Sequence, residues 1–301
     1  MPTAAIQAIL EPSQIALRND RKLLLPGRPL VMGVLNITPD SFSDGGLWLD
    51  PHRAVERAVA MVEEGAELLD LGAESTRPGG GVYGQGAELV PVDEELRRLL
   101  PVLEAVRARV SVPISVDTRK GIVARAAIAA GADLINDISA LADPDLAAEV
   151  ARSGCPVVLM HSRGSLESMQ QKISFEEVVP EVISELASLA KHAEAMGIER
   201  QRIVVDPGIG FGKTAAQNLE ILRRLDEFQS LHLPLLVGAS RKSFIGEIDG
   251  AAPDERLPGS LAAVGWAARH GVAIIRVHDV AETAQFLGVW KAIAGGLESD
   301  S

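Results

Sequence analysis

The sequence predicts a single-domain α/β chain folded as a TIM-type (β/α)8 barrel, and three observations carry that prediction. Eight short apolar runs rich in Val, Ile and Leu recur along the 301 residues, and each is followed by an amphipathic segment. The breaks between them are short, which points to parallel βαβ units. No Gly-x-Gly-x-x-Gly turn follows the first run, which continues Val34-Leu35-Asn36-Ile37-Thr38-Pro39. A closed barrel is therefore favoured over an open doubly wound sheet.

In chain order, residues 1–29 form a lead-in, read as a short hairpin closing the N-terminal end of the barrel, and residues 30–296 form the barrel itself. The apolar runs are Val31–Leu35, Glu67–Leu71, Val112–Val116, Ala132–Ile135, Val157–Met160, Ile203–Val205, Pro234–Val237 and Val272–Val277. Their length and composition suit strands buried on both faces. The amphipathic segments are Pro51–Glu64, Asp93–Arg109, Arg119–Ala130, Asp143–Ser153, Glu176–Met196, Gln217–Glu227, Pro258–Arg269 and Val280–Ala294. Asp143 is a candidate N-cap with Pro144 at the first helical position. Gly65, Gly131, Gly154, Gly197 and Gly271 stand where helices should stop. Leu297–Ser301 is a polar, frayed end.

Composition narrows the function. The chain carries 41 acidic against 29 basic residues, a formal charge of −12, and only ten aromatics. That argues against a nucleic-acid binder built on a basic surface and stacking platforms. Anionic small molecules stay open, because a local cluster of basic groups can outvote the global sign. The single cysteine, Cys155, rules out an intrachain disulfide and fits a reducing, cytoplasmic setting. The N-terminus lacks the basic and apolar stretches of a signal peptide, and no run approaches the roughly 18 apolar residues of a membrane span.

The residues at the ends of the runs carry the chemistry. They are Asn36, Asp70, Asp117, Asn136-Asp137, His161, Asp206, Ser240-Arg241-Lys242, Arg276 and His278. Any one of them alone reads equally well as an N-cap or a turn residue. In a barrel, however, all of them open onto the C-terminal face, where loops build the active site. Asp117, Asn136, Asp206 and Asp70 suit a flat ligand with several N–H donors, such as a 2-amino-pyrimidinone ring, since a carboxylate accepts two parallel bonds from such an edge. Arg77, Arg276 and His278, with Asn36 near, suit a pyrophosphate and its metal ion. Arg276 lies within a buried strand and needs a partner there. Two polar, Gly-rich loops, Thr38–Gly46 and Glu74–Gly86, are longer than routine βα loops and read as lids.

Several motifs are refused. Asp206-Pro207-Gly208-Ile209-Gly210-Phe211-Gly212-Lys213-Thr214 is one residue short of a P-loop. No Gly-x-Ser-x-Gly elbow and no His-Glu-x-x-His or Cys cluster is present, so neither a hydrolase triad nor a protein-only zinc site is supported. Cys155 reads as a small core residue.

The chain resembles the dihydropteroate synthases from Val31 to Val289. The resemblance rests on Asn36 to Gly46, Glu74-Ser75-Thr76-Arg77-Pro78-Gly79, Ser115-Val116-Asp117-Thr118, Asn136-Asp137-Ile138, Asp206 to Lys213, Ser240-Arg241-Lys242 and Arg276-Val277-His278-Asp279. It implies a (β/α)8 barrel that condenses 6-hydroxymethyl-7,8-dihydropterin pyrophosphate with p-aminobenzoate in folate biosynthesis, and a target of sulfonamides. It implies that Asp117, Asn136, Asp206 and Lys242 hold the pterin, with Met160 or Phe211 near its ring and Asp70 below it. Asn36 is implied as a Mg²⁺ ligand, and Arg276 and His278, with Asn36 and Arg77, as holders of the pyrophosphate. Thr76, Pro78, Phe211 and Ser240 are implied for the p-aminobenzoate pocket, with Phe42 part of its closure. The family also suggests a homodimer packed through barrel helices. One departure is visible: Met160-His161-Ser162 stands where the family often reads Met-His-Met. The alternatives are a non-catalytic pterin-binding paralogue and the pterin module of corrinoid methyltransferases. The run Thr38-Pro39-Asp40-Ser41-Phe42-Ser43, Arg77 and His278 speak against the second.

Overall fold

A computed structural model describes residues 14–38, 51–74, 89–163 and 174–295. Within them a two-stranded antiparallel hairpin, β1 (Gln14–Ala16) and β2 (Lys22–Leu24), precedes eight parallel strands. These are β3 (Leu30–Asn36), β4 (Leu68–Gly72), β5 (Ile114–Asp117), β6 (Leu134–Asp137), β7 (Val157–Met160), β8 (Ile203–Asp206), β9 (Leu236–Val237) and β10 (Ile274–Val277). The helices are α1 (Pro51–Glu63), α2 (Val92–Arg107), α3 (Gly121–Ala129), α4 (Pro144–Ser153), α5 (Val178–Ala195), α6 (Ala215–Arg223), α7 (Ser243–Asp249), α8 (Leu257–Arg269) and α9 (Val280–Gly295).

Strand order is β8-β7-β6-β5-β4-β3-β10-β9. A parallel bridge between Val205 and Leu235, outside β9 proper, joins the two ends and closes the barrel. Pro234 explains why β9 is short: it has no N–H to donate and serves only as an acceptor, here to Val205.

Alternation along each strand separates two cores. Outward-facing Val31, Leu35, Leu69, Leu71, Ile114, Val116, Val157 and Val205 pack against the helices. Inward-facing Leu30, Met32, Leu68, Leu134, Val158, Val204, Leu236 and Ile274 fill the lower barrel. Ile15, fully buried, and Leu25 join that inner cluster, so the hairpin plugs the N-terminal end. Two residues further along, the inward positions turn polar on four of these strands: Asp70 follows Leu68, Asn136 follows Leu134, Asp206 follows Val204 and Arg276 follows Ile274.

Helix ends follow the sequence signals. Asp143 caps α4, its Oδ1 accepting from the Asp145 N–H at 2.9 Å, and Gly154 ends it at φ +65°. Thr214 and Gln217 form a capping box at the start of α6. Two elements differ from the sequence reading. The segment expected as one helix over Gln217–Glu227 divides into α6 and a 3-10 turn over Leu225–Leu231. The seven-residue α7 has no counterpart in the expected series, being too short for a periodic apolar face to show.

Asp133, ahead of β6, ties the plug to the barrel. Its carboxylate accepts from Arg21 at 2.6 Å, Arg107 at 2.9 Å and the Ile114 N–H at 3.0 Å. Asp133→Ala strands that N–H and two guanidinium groups, and a loss of about 2–3 kcal/mol is expected in urea unfolding. A change below about 0.5 kcal/mol, the level of an ordinary surface substitution, would contradict this anchoring role.

Candidate active site

The strand register sets the site in rows. Asn36 pairs with Gly72, Gly72 with Asp117, and Asp117 with Asn136, which makes one lateral row across β3, β4, β5 and β6. Gly72 is the gap in it: a Cβ there would lie 3.5 Å from that of Asp117 and 3.9 Å from Asn36 Oδ1. The glycine thus lets Asn36 and Asp117 face the same space. Asp70 lies one inward position below, and Met160 stands in register with Asp206 across β7 and β8.

Arg276, on β10, finds the partners that its burial demands. Its Nε donates to Asp70 Oδ2 at 2.6 Å and its Nη2 to Asp117 Oδ2 at 3.2 Å. Asn136 Nδ2 also donates to Asp70 Oδ2, at 3.1 Å. Among the described residues the other oxygen of each carboxylate, Asp70 Oδ1 and Asp117 Oδ1, is buried without a hydrogen-bond partner, as is Ser115 Oγ beside Asp70. Buried carboxylate oxygens left so are costly and call for N–H donors. Burial, and then the charge of Asp70, push the Asp117 carboxyl well above the ordinary carboxylate range. The folded protein thus favours the protonated form of Asp117 far more than water does, while the Arg276 guanidinium opposes that shift.

The opposite wall comes from β8 and the loop after β9. Burial pushes Asp206 up to about 6, against the Gly208 N–H that its Oδ1 accepts at 2.7 Å and the charge of Lys242. Lys242 Nζ sits 4.1 Å from the Phe211 ring centroid. Burial and Arg276 pull Lys242 down to about 8. Ser240 Oγ accepts the His278 N–H at 3.3 Å and stands 3.1 Å from His278 Nδ1. Donation from Oγ to Nδ1 leaves the imidazole proton on Nε2. Burial and the cations Arg276 and Arg241 pull His278 down to about 3. His278 thus enters the rim as a neutral donor.

Asn36, Asp70, Asp117, Asn136, Met160, Asp206, Phe211, Ser240, Lys242, Arg276 and His278 therefore all stand at the C-terminal face. Phe42, Thr76, Arg77 and Pro78, with both expected lids apart from their first residues Thr38 and Glu74, lie outside the described residues. Three features had no assigned part. Lys213 and His161 touch within the wall. Arg241, at φ +57°, pairs with Asp279 behind Ser240. Glu95, fully buried, accepts from Thr118 at 2.7 Å and Lys120 at 2.5 Å beside Asp117. The signal for Lys213 was the Gly-x-Gly-x-Gly-Lys spacing once its P-loop reading had been refused.

The profile described as pterin binding enzyme matches residues 32–278, a span that takes in every strand-end residue of this barrel mouth from Asn36 to His278. The chain is 45% identical over 271 residues to the dihydropteroate synthase of Escherichia coli K12, covering 90% of this chain and 94% of that one. It is 46% identical over 259 residues to a probable bifunctional folylpolyglutamate synthase/dihydropteroate synthase of Haloferax volcanii, of whose length it spans 30%. Among solved structures, that of Xanthomonas albilineans dihydropteroate synthase with 4-aminobenzoic acid superposes with a TM-score of 0.85 at 45% identity, over 94% of this chain and 98% of that one. The chain belongs to the dihydropteroate synthases.

Proposed function

We propose that the chain transfers a pterinylmethyl group to p-aminobenzoate, condensing it with 6-hydroxymethyl-7,8-dihydropterin pyrophosphate to give 7,8-dihydropteroate and pyrophosphate. The observation that carries this reading is the pair of unpartnered buried oxygens, Asp70 Oδ1 and Asp117 Oδ1, beside Asn136 and Asp206. They accept the N–H edge of the amino-pyrimidinone ring. Asn136 and Asp206 complete that edge, while Lys242 and Phe211 cover the ring with Met160 below. Arg276 holds Asp70 and Asp117 in register and, with the Nε2–H of His278, faces the pyrophosphate. The family resemblance assigns Arg77 to the pyrophosphate as well, and Thr76, Pro78, Phe211, Ser240 and Phe42 to the p-aminobenzoate pocket.

The bond from the methylene carbon to pyrophosphate oxygen breaks first, its electron pair leaving with the pyrophosphate. The resulting cation is conjugated with the electron-rich ring, and Asp206 and Asp117, the latter driven to its carboxylate by the bound pterin N–H edge, stabilise it in a dry site. The arylamine nitrogen then forms the new C–N bond, and the proton it sheds passes to the departed pyrophosphate. Positioning and electrostatics suffice, and no protein nucleophile is needed.

Mg²⁺ fits this donor set. Among the described residues no group of three or more His, Cys, Asp and Glu could hold a metal. A magnesium ion carried by substrate phosphates needs only one or two protein oxygens, and Asn36 Oδ1 beside Gly72 supplies one. When bound, it neutralises charge on the pyrophosphate.

A homodimer is part of the same reading, supported by exposed Ile248 on α7, Trp266 on α8, and Val289 and Ile293 on α9. Sedimentation of the purified chain at micromolar concentration tests it, and a monomer overturns it. A cytoplasmic setting is supported by the lone buried Cys155, whose thiol burial pushes up to about 12. No described helix is long and apolar enough to cross a membrane. Incubation with both substrates and Mg²⁺ tests the reaction. Dihydropteroate should form, and a sulfonamide should compete with p-aminobenzoate. No product from folded protein overturns the reading.

A further inference from the structure

Beside the strand-end carboxylates stands a chain of three side chains that the proposed reaction does not use. Lys213 Nζ is enclosed by four acceptors: the carbonyl oxygens of Phe211 at 3.0 Å, Gly208 at 3.1 Å and His161 at 3.3 Å, and His161 Nδ1 at 3.0 Å. An ammonium only donates, so Nδ1 presents its lone pair and the ring proton sits on Nε2. That Nε2 lies 3.0 Å from Glu185 Oε2 on α5, a carboxylate that fixes the tautomer. Burial and the Lys213 charge hold His161 well below the ordinary imidazole range. Burial pulls Lys213 down to about 7, with Asp206 and Glu185 opposing it.

The backbone that Lys213 gathers is held in an unusual form. Gly208, Gly210 and Gly212 have φ of +69°, +81° and +61°. A Cβ on Gly208 would lie 2.0 Å from the His161 oxygen, and one on Gly210 would lie 2.9 Å from Lys242 Cδ. The turn is thus pressed against the end of β7 on one side and the stem of Lys242 on the other. Asn218 fastens its middle, accepting from the Gly210 N–H at 2.8 Å. The Gly208 N–H that meets Asp206 and the Phe211 ring under Lys242 both belong to this turn. Three converging carbonyls repel one another unless a cation sits among them.

We propose that Lys213, seated on a neutral His161 whose tautomer Glu185 fixes, is the positioning residue that holds the glycine turn in the form presenting Asp206, Phe211 and Lys242 to the pterin. The inference rests on the pterin reading above. It concerns the geometry of the wall and not contact with substrate.

The test is calorimetric titration of the purified full chain with 6-hydroxymethyl-7,8-dihydropterin pyrophosphate, alongside kcat, KM and thermal midpoints, for three variants. Lys213→Met fills the space without charge. His161→Leu removes the acceptor, whereas His161→Asn keeps an oxygen at the position of Nδ1. Lys213→Met and His161→Leu should each weaken pterin binding at least about tenfold, and His161→Asn should return to within about threefold of wild type. Affinity should track the acceptor at that position and not the thermal midpoint, which a merely structural role would move in parallel. If Lys213→Met does not fold, the two His161 variants decide, since both retain Lys213. Folded Lys213→Met or His161→Leu binding pterin like wild type overturns the proposal, as does His161→Asn no better than His161→Leu. Wild type that binds no pterin overturns instead the functional reading on which it rests.

Discussion

Arg276→Met is expected to cost the fold about 3–5 kcal/mol and to lower turnover at least about 10³-fold. The stability loss comes from the two carboxylates left behind. Arg276 donates to Asp70 at 2.6 Å and to Asp117 at 3.2 Å, and among the described residues neither acid has another cation bonded to it. Without the guanidinium, two buried acids face each other, and a second proton or a shift of β4 against β5 must relieve them. The deficit should therefore be larger at pH 8 than at pH 6. An Asp117 pKa raised in the folded state favours folding at low pH, and that gain is lost as pH rises through the folded value. Adding Asp70→Asn should recover about half of the lost stability and none of the turnover, because relieving repulsion restores neither the arginine nor the pterin edge. Urea unfolding at the two pH values and steady-state turnover check both parts. Wild-type stability in Arg276→Met would show that the acids do not depend on it.

Lys242→Met is expected to separate stability from function in the opposite sense. Turnover should fall about 10²–10³-fold while the fold keeps or gains stability. The folded state pulls Lys242 down to about 8, which means that it disfavours the charge. A base whose folded pKa lies below its unfolded value destabilises the fold fully below the folded pKa. The cost fades as pH rises toward the ordinary lysine value. At neutral pH methionine removes that cost and keeps the packing over Phe211. Wild-type turnover should decline as pH rises through about 8, where Lys242 loses its proton, and the residual activity of the variant should lack that limb. Rate profiles between pH 6 and 9 with thermal unfolding at neutral pH decide it. A methionine variant both inactive and strongly destabilised would place the role of Lys242 in the fold.

Much of this site was legible in the chain because strand ends in a barrel share one face. Asn36, Asp117, Asn136 and Asp206 each follow an apolar run; the first, second and fourth are the last residues of their strands, and Asn136 is the last but one of its strand. Arg276 within an apolar strand signalled a buried partner, and it found two. Protonation was not legible, because it depends on what stands across the sheet. Asp117 is raised by burial and by Asp70 on the adjacent strand, and His278 is lowered by burial and by Arg276 and Arg241. Lys213 was hidden for a similar reason: the carbonyls that seat it come from a turn and from the end of β7. The seven-residue α7 and the 3-10 turn over Leu225–Leu231 lack the repeated apolar spacing that makes longer helices visible.

The central claim, that the buried acids of the barrel mouth receive the N–H edge of a pterin, has a direct thermodynamic signature. Burial and Asp70 favour the protonated form of Asp117 in the free protein, and N–H donors at its unpartnered oxygen favour the carboxylate, so pterin binding should be coupled to proton release. The measurement is titration calorimetry of pterin binding at pH 7 in buffers of different ionisation enthalpy. The account predicts release of about one proton for wild type, absent in Asp117→Asn, whose affinity should be about 10²-fold lower. Binding without proton release, or an Asp117→Asn variant that binds pterin as tightly as wild type, would contradict it.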